Sequence, residues 1–206
     1  MVKNRNMKPN RWQDYYTRRA KAEKWLARSV YKFKEINDKF KLIHKGNSLL
    51  DLGCYPGSWS QFGITRVGPE GRVVGIDLKP PEHFAAPNFI FIQADVFKID
   101  IDEVASKIGP MDLVISDLAP KTTGIRERDT ALSISLAEKA YEISVEILKN
   151  RGRFLCKVFE GADFSKFKEN VSARFNRVRL IRPKATRKAS REIYIVGLDF
   201  KQEGFH

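Results

Sequence analysis

Five short apolar runs punctuate the middle of the chain, each bounded by Gly, Pro or polar residues. They are Ser48 to Gly53 (SLLDLG), Arg72 to Asp77 (RVVGID), Phe89 to Gln93 (FIFIQ), Asp112 to Ser116 (DLVIS) and Arg153 to Val158 (RFLCKV). A strand with one wet face alternates apolar and polar residues. These runs are nearly continuous, as expected of strands buried on both faces in a parallel sheet flanked by helices. The clearest helix is predicted from Thr130 to Lys149, where Leu132, Leu136, Ala140, Ile143 and Ile147 recur at helical spacing. Asp129 is its expected cap, and Gly152 follows its basic end. Upstream, Thr17 to Phe40 is rich in Lys, Ala, Glu and Leu and has no Gly or Pro, which reads as one or two helices. The final apolar runs, Phe175 to Ile181 and Glu192 to Phe200, are joined by RPKATRKASR. That connection is too short for a helical crossover and implies an antiparallel hairpin.

The pattern predicts an α/β fold with a doubly wound, mostly parallel sheet of seven strands, the last one antiparallel. In such sheets ligands bind at the carboxyl ends of the parallel strands, near the switch point in strand order. Gly53 onward, Asp77, Asp95, Asp117 and Lys157 are expected at that edge. A reversed last strand starts there too, carrying Glu192 and the basic loop from Arg182 to Arg191.

Composition adds a partner. The 206 residues are 42% apolar, enough for one sizeable core, and carry a net charge of +13. The charge is concentrated: residues 1–34 carry +9 and residues 174–191 carry +8, which leaves the remainder slightly acidic. Such clusters fit a polyanion, because cationic side chains that displace counterions from phosphates add affinity without reading sequence; a solvated basic face is the plain alternative. The expected organisation is a basic, polyanion-binding helical extension over residues 1–34 and a globular domain over residues 35–206. Trp12, Tyr15, Tyr16 and Tyr31 could stack bases, with Tyr31 equally suited to a core. No apolar run is long enough to span a membrane, and the N-terminus MVKNRNMKPNRW lacks a secretory signal. Cys54 and Cys156 read as free thiols of a cytoplasmic protein, and His44, His83 and His206 lack metal-ligand spacing.

The first strand runs into DLGCYPGSWSQ, Asp51 to Gln61. Gly53 and Gly57 allow a tight turn and a close approach of backbone to ligand, yet neither GxGxxG nor GxxxxGK[ST] is present. That suits a nucleoside cofactor without phosphate, of which S-adenosyl-L-methionine is the common one; an ordinary strand-to-helix turn is the alternative. Asp77 is placed to accept from the hydroxyls of a ribose, and Asp95 from an adenine amine, with Val96 and Phe97 against the ring. Taken singly, either acid could be a helix cap or a solvated loop carboxylate.

With these elements the chain resembles the FtsJ/RrmJ family of ribose 2′-O-methyltransferases. The matching segments are SVYKFKEI around Lys32, DLGCYPGSWSQ, GIDLKP, QADVF, SDLAPKTTG around Asp117, CKVFEG around Lys157 and SREIYIV around Glu192. The resemblance covers nearly the whole chain, in order. It implies a Rossmann-like class I methyltransferase fold, with Lys32, Asp117, Lys157 and Glu192 as the catalytic tetrad. Gly57, Trp59, Asp77, Asp95 and Asp117 are the implied contacts to S-adenosyl-L-methionine, and no metal is implied. Trp59 could equally be a core residue. A monomer acting on a uridine ribose of large-subunit ribosomal RNA, with no DNA or membrane partner, is the expected form. Transfer RNA is an alternative substrate, and a noncatalytic ribosome-assembly factor an alternative role. The turn departs from the usual DLGAAPGGWSQ at Cys54, Tyr55 and Ser58, and bulky Tyr55 is expected to reshape the cofactor pocket.

The chemistry fits those residue types. A 2′-hydroxyl is a weak acid, and an amine can take its proton only when neutral. Lys157 is the expected base, with orientation of the hydroxyl as its alternative role. Lys32 would favour the neutral amine, whereas Asp117 and Glu192 would oppose it. SDLAP stands where adenine-amine methyltransferases carry an Asn/Asp-Pro-Pro-aromatic motif, and the missing GxGxxG argues against a nicotinamide dehydrogenase.

Overall fold

The computed structural model describes residues 11–82, 84–187 and 190–202, with side chains from Tyr15 onward. The basic positions Lys3, Arg5, Lys8 and Lys188, the Trp12 side chain, His83 and His206 lie outside the described residues. All five predicted runs form strands: β1 (Ser48–Leu52), β2 (Arg72–Asp77), β3 (Phe89–Gln93), β4 (Met111–Ser116) and β5 (Leu148–Phe159). The hairpin is β6 (Phe175–Ile181) and β7 (Glu192–Phe200). The seven strands form one sheet in the order β3-β2-β1-β4-β5-β7-β6. Strand β7 pairs antiparallel with both β5 and β6, and the β1 to β5 pairings are parallel. Order therefore reverses between β1 and β4, which opens the crevice at their carboxyl ends.

Helices cover both faces. On one face α1 (Arg11–Ala22), α2 (Val30–Phe40) and α3 (Ser58–Val67) enclose Ala20, Phe33, Ile36, Trp59 and Phe62 against Leu49, Leu113, Leu155, Tyr194 and Val196. On the other, α4 (Ile101–Ile108), α5 (Arg126–Ile147) and α6 (Phe164–Arg174) bury Val104, Ile143 and Phe167 against Leu50, Val114, Phe154 and Ile195. Successive strand residues belong to opposite faces, as the two-residue period of a strand requires. That parity decides the site. Lys157 shares the α2 face with Leu155, and its register partner Tyr194 is on the same face.

Two local expectations are corrected. Helix α5 begins at Arg126 and ends at Ile147, so Asp129 lies inside it instead of capping it. The Asp129 carboxylate reaches back to accept from the Thr123 N–H at 2.7 Å, the Thr123 hydroxyl at 2.8 Å and the Gly124 N–H at 3.3 Å, tying down the preceding loop. Strand β5 starts five residues early, at Leu148, and its register with β4 shifts before Arg153, where Arg151 takes a positive φ of 62° beside Gly152. The Thr17 to Phe40 stretch resolves into α1 and α2, and Tyr31 is buried in the core. Among the described residues no helix is long and apolar enough to cross a membrane.

Candidate active site

A cavity of about 730 Å³ opens at the switch point, bounded by Gly53, Asp77, Asp95, Phe97, Asp117 and Leu118 among others. Its size is that of a small-molecule site. The glycine turn shapes one wall. Gly53 has φ +79°, and a Cβ there would meet Leu118 Cδ2 at 2.6 Å, so the turn and the β4 loop can touch only through glycine. Gly57, with φ +113°, is the N-cap of α3, and a Cβ on it would meet Leu26 and Pro81, each at 2.9 Å.

Asp77 ends β2 and accepts from the Tyr55 N–H at 2.9 Å and the Lys79 N–H at 3.2 Å. Asp95 follows β3 and accepts from the Phe97 N–H at 3.0 Å. Leu78 and Phe97 stand on the cavity rim with more than half their surface exposed. Large apolar groups left open at a cavity mouth are unusual for a surface and suit a flat apolar ring between them. The Tyr55 ring turns outward to the Glu82 carboxylate, with Lys79 at 5.6 Å over it. Trp59 is 3% exposed, stacks on Phe33 at 4.7 Å and donates its indole N–H to the Ser29 carbonyl at 3.0 Å. Its side chain belongs to the core, and only its backbone, in the first turn of α3, is left for a ligand.

Beside this cavity four charged side chains form two pairs. Lys157 Nζ lies 3.0 Å from Asp117 Oδ1 and also donates to the Asp117 carbonyl. Lys32 Nζ lies 2.7 Å from Glu192 Oε1, which also accepts from the Thr186 hydroxyl at 3.3 Å. Tyr194 joins the pairs: its hydroxyl donates to Asp117 Oδ1 at 2.8 Å, and its ring lies 5.9 Å from Lys32 Nζ. Burial alone would raise the Asp117 carboxyl, but Lys157, Lys32 and the hydrogen bonds from Tyr194 and Lys157 outweigh it and hold it below the usual carboxylate range. Burial, then the charges of Asp117 and Glu192, push the Tyr194 phenol far up, so it remains a neutral donor.

Local sequence explains the convergence. Lys157 interrupts the apolar run of β5 near its carboxyl end, Asp117 follows β4, Glu192 opens the reversed β7, and α2 crosses their face with Lys32 in its first turn. Tyr194 was not foreseen. The available signal was its spacing, two residues after Glu192 and so on the same side of the strand.

A doubly wound sheet with a reversed strand β7 set inside its end and a cavity at the β1/β4 switch point is the frame of the α/β methyltransferases. The chain belongs to the FtsJ-like methyltransferase family, whose pattern matches residues 25–200. It is 45% identical to the ribosomal RNA large subunit methyltransferase E of Desulforapulum autotrophicum over 195 residues, covering 94% of this chain and 96% of that one. Identity to the protein of the same name from Desulfatibacillum aliphaticivorans is 42% over 206 residues, all of this chain and 99% of the other. Among solved structures, a ribosomal RNA methyltransferase from Plasmodium falciparum superposes with a TM-score of 0.76 at 28% identity, covering 85% of this chain and 98% of that one.

Proposed function

We propose that this chain transfers the methyl group of S-adenosyl-L-methionine to a ribose 2′-hydroxyl, the substrate being a uridine of large-subunit ribosomal RNA. The observation that carries the reading is the Asp117–Lys157 pair at the junction of a nucleoside-sized cavity with the second pair, Lys32–Glu192. The relatives named for large-subunit ribosomal RNA, similar over almost the full chain, support the choice of RNA.

The residues fit the cofactor. Asp77 would hold its ribose hydroxyls, Asp95 its adenine amine, Leu78 and Phe97 the ring, and Gly53, Gly57 and the backbone at Trp59 its amino-acid end. When bound, S-adenosyl-L-methionine supplies a methyl group already activated by a sulfonium. The protein's work is then to aim a hydroxyl and to relieve it of a proton. Aiming alone accounts for roughly 7 to 11 kcal/mol in a two-substrate step. Asp117 holds two of the three Lys157 N–H directions, which leaves the amine pointing one way, toward the acceptor. Lys157, once its own third proton has passed to solvent, takes the hydroxyl proton on the lone pair so freed, and Tyr194 fixes Asp117 so that the amine does not wander. Lys32 and Glu192 hold the ribose from the other side. The basic residues of the 1–34 segment and the Arg182 to Arg191 loop bind the strand that carries it.

The test is direct. Purified protein, methyl-labelled S-adenosyl-L-methionine and unmodified large-subunit RNA or particles are incubated, and the RNA is digested to nucleosides. The label is expected in 2′-O-methyluridine. Label in a base, or none in RNA, overturns the reading.

A further inference from the structure

A second pocket, of about 390 Å³, opens on the Lys32–Glu192 side of the site, between the α1–α2 connection and the β6–β7 loop. Its walls include Arg28, Ser29, Lys32, Arg187, Ser190 and Glu192. Lys32 and Glu192 neutralise one another at 2.7 Å, so Arg28 and Arg187 give the pocket a net positive character. The two guanidinium groups repel across it: burial, and after it Arg187, hold the Arg28 guanidinium below its ordinary range, with Glu192 only a weaker counterweight. An anion between them would convert that repulsion into attraction. Neutral donors stand by as well. The Ser190 hydroxyl accepts from the Glu192 N–H at 3.1 Å, which leaves its own proton to give, and the Ser29 hydroxyl lies 3.1 Å from that of Ser58.

The chemistry of RNA says which anion. In every ribonucleotide inside a strand the 2′-hydroxyl and the 3′-phosphodiester sit on adjacent carbons, whereas the 5′-phosphate is at the far end of the sugar. A 2′-oxygen held at Lys157, with its ribose against Lys32 and Glu192, therefore carries its 3′-phosphate toward the pocket that those two residues wall. Arginine forks suit a phosphodiester, since two N–H groups can meet two oxygens.

We propose that this pocket binds the phosphodiester on the 3′ side of the methylated ribose, with Arg28 and Arg187 as its cationic partners. The inference rests on the ribose reading above and extends it. It makes the protein select nucleotides inside a strand over a 3′-terminal one, which lacks that phosphate.

The experiment uses large-subunit RNA assembled by ligation with a single uncharged methylphosphonate on the 3′ or the 5′ side of the methylated nucleotide. The 3′ replacement is expected to lower kcat/KM about 30-fold, and the 5′ replacement less than about threefold. The double variant Arg28→Gln, Arg187→Gln is expected to lose about 30-fold on natural RNA, in KM, and nothing more on the 3′-methylphosphonate RNA. Arg187 is exposed, so Arg187→Gln alone carries the same test, with about a fivefold loss, should the double variant fail to fold. Equal losses by the variants on charged and uncharged 3′ linkages, or a dependence on the 5′ linkage instead, overturn the pocket assignment. No 2′-O-methyl nucleoside from the wild-type protein on natural RNA would instead defeat the ribose reading.

Discussion

Asp51 and Asp117 lie at the carboxyl ends of neighbouring strands, one sealed in the core and the other on the cavity wall, and their carboxyls are shifted in opposite directions. Asp51, fully buried in β1, accepts from the Ser60 hydroxyl at 2.7 Å, while its other oxygen has no partner. Burial chiefly, against the opposing hydrogen bonds from Ser60, pushes its carboxyl up to about 7. Asp117 has a lysine at 3.0 Å and a phenol at 2.8 Å, and it stays ionised. Burial raises a carboxyl unless cations are built in beside it. The difference divides the edge in two. The proposed cofactor side is made of glycine turns, apolar walls and acids bonded to backbone N–H groups. The acceptor side is made of ion pairs whose charges the fold has assembled.

The largest effect is expected from removing the cation that separates the two carboxylates. Lys157→Ala should lower turnover by about 10³-fold or more, within the range of a lost proton acceptor, while cofactor affinity by calorimetry changes less than about threefold. It should also lower stability by about 1 to 3 kcal/mol, because Asp117 loses its nearest cation and keeps only the Tyr194 hydroxyl and the more distant Lys32. Lys157→Arg sharpens the point. It restores the charge beside Asp117 and the stability, but it cannot give up a proton and should remain inactive. An active arginine variant would turn Lys157 from a base into an orienting group. Near-normal turnover of Lys157→Ala would remove it from the reaction.

Next in size is the pH dependence that Asp51 imposes on the unliganded protein. Below about pH 3.8 folded and unfolded chains both hold this proton, and Asp51 contributes nothing. As pH rises, the unfolded chain ionises first, so stability falls, and the loss is complete above about 7. The interval from 3.8 to about 7 corresponds to at most about 4 kcal/mol. Asp117, lowered instead, releases its proton on the acid side of this window in both states and contributes a constant there. Urea unfolding at pH 5 and pH 8 should show the wild type losing roughly 3 kcal/mol between them. Asp51→Asn should lose much less. Parallel behaviour of the two proteins would mean that Asp51 is ionised and that the contrast with Asp117 is false.

A smaller change should follow on the cofactor side. Asp77→Asn keeps one acceptor oxygen, enough for the Tyr55 N–H but not also for the Lys79 N–H, which donates to the other carboxylate oxygen, and it removes the charge that two ribose hydroxyls would meet. Cofactor affinity should fall about tenfold, in line with one charge-assisted hydrogen bond, with turnover at saturating cofactor within about twofold. Loss of turnover without loss of affinity would place Asp77 on the acceptor side and blur the division.

The sheet was legible because its strands leave short apolar runs bounded by Gly, Pro or polar residues; β3 shares that pattern although, as an edge strand with Ile90 exposed, it is not buried on both faces as the pattern implied. Asp77, Asp95, Asp117, Lys157 and Glu192 could be placed at one edge from those ends alone. Lys32 was not accessible in that way: nothing in a helical segment says which face of the sheet it crosses, and only the family resemblance supplied it. Asp129 precedes an apolar periodicity as a cap would, but its carboxylate is claimed by Thr123 and Gly124, whose loop conformation has no signature in the sequence. The Trp59 indole was equally suited to ligand or core; its packing on Phe33 depends on how α2 and α3 cross. The Arg28–Arg187 pocket joins residues 159 positions apart and required the hairpin loop to fold over the α1–α2 connection.

The second ion pair tests how far the acceptor side depends on charge as such. Lys32 and Glu192 keep 17% and 12% of their side-chain surface, so the pair is largely sheltered yet not sealed. Glu192→Gln retains an oxygen for Lys32 and for the Thr186 hydroxyl and removes only the negative charge. The ribose hydroxyls keep a polar neighbour, and Lys157 keeps Asp117. About a fivefold fall in turnover is therefore expected, equivalent to about 1 kcal/mol, well short of Lys157→Arg. Freed of its counter-charge, Lys32 should draw RNA more strongly, so KM should fall as turnover falls, and the dependence of kcat/KM on salt should steepen. A joint fall of the two constants distinguishes a lost electrostatic partner from a damaged fold, which would lower turnover and raise KM. If Glu192→Gln is as inactive as Lys157→Arg, the two pairs act as one unit. The charge on Glu192, and not only that on Asp117, would then set the state of the proton acceptor.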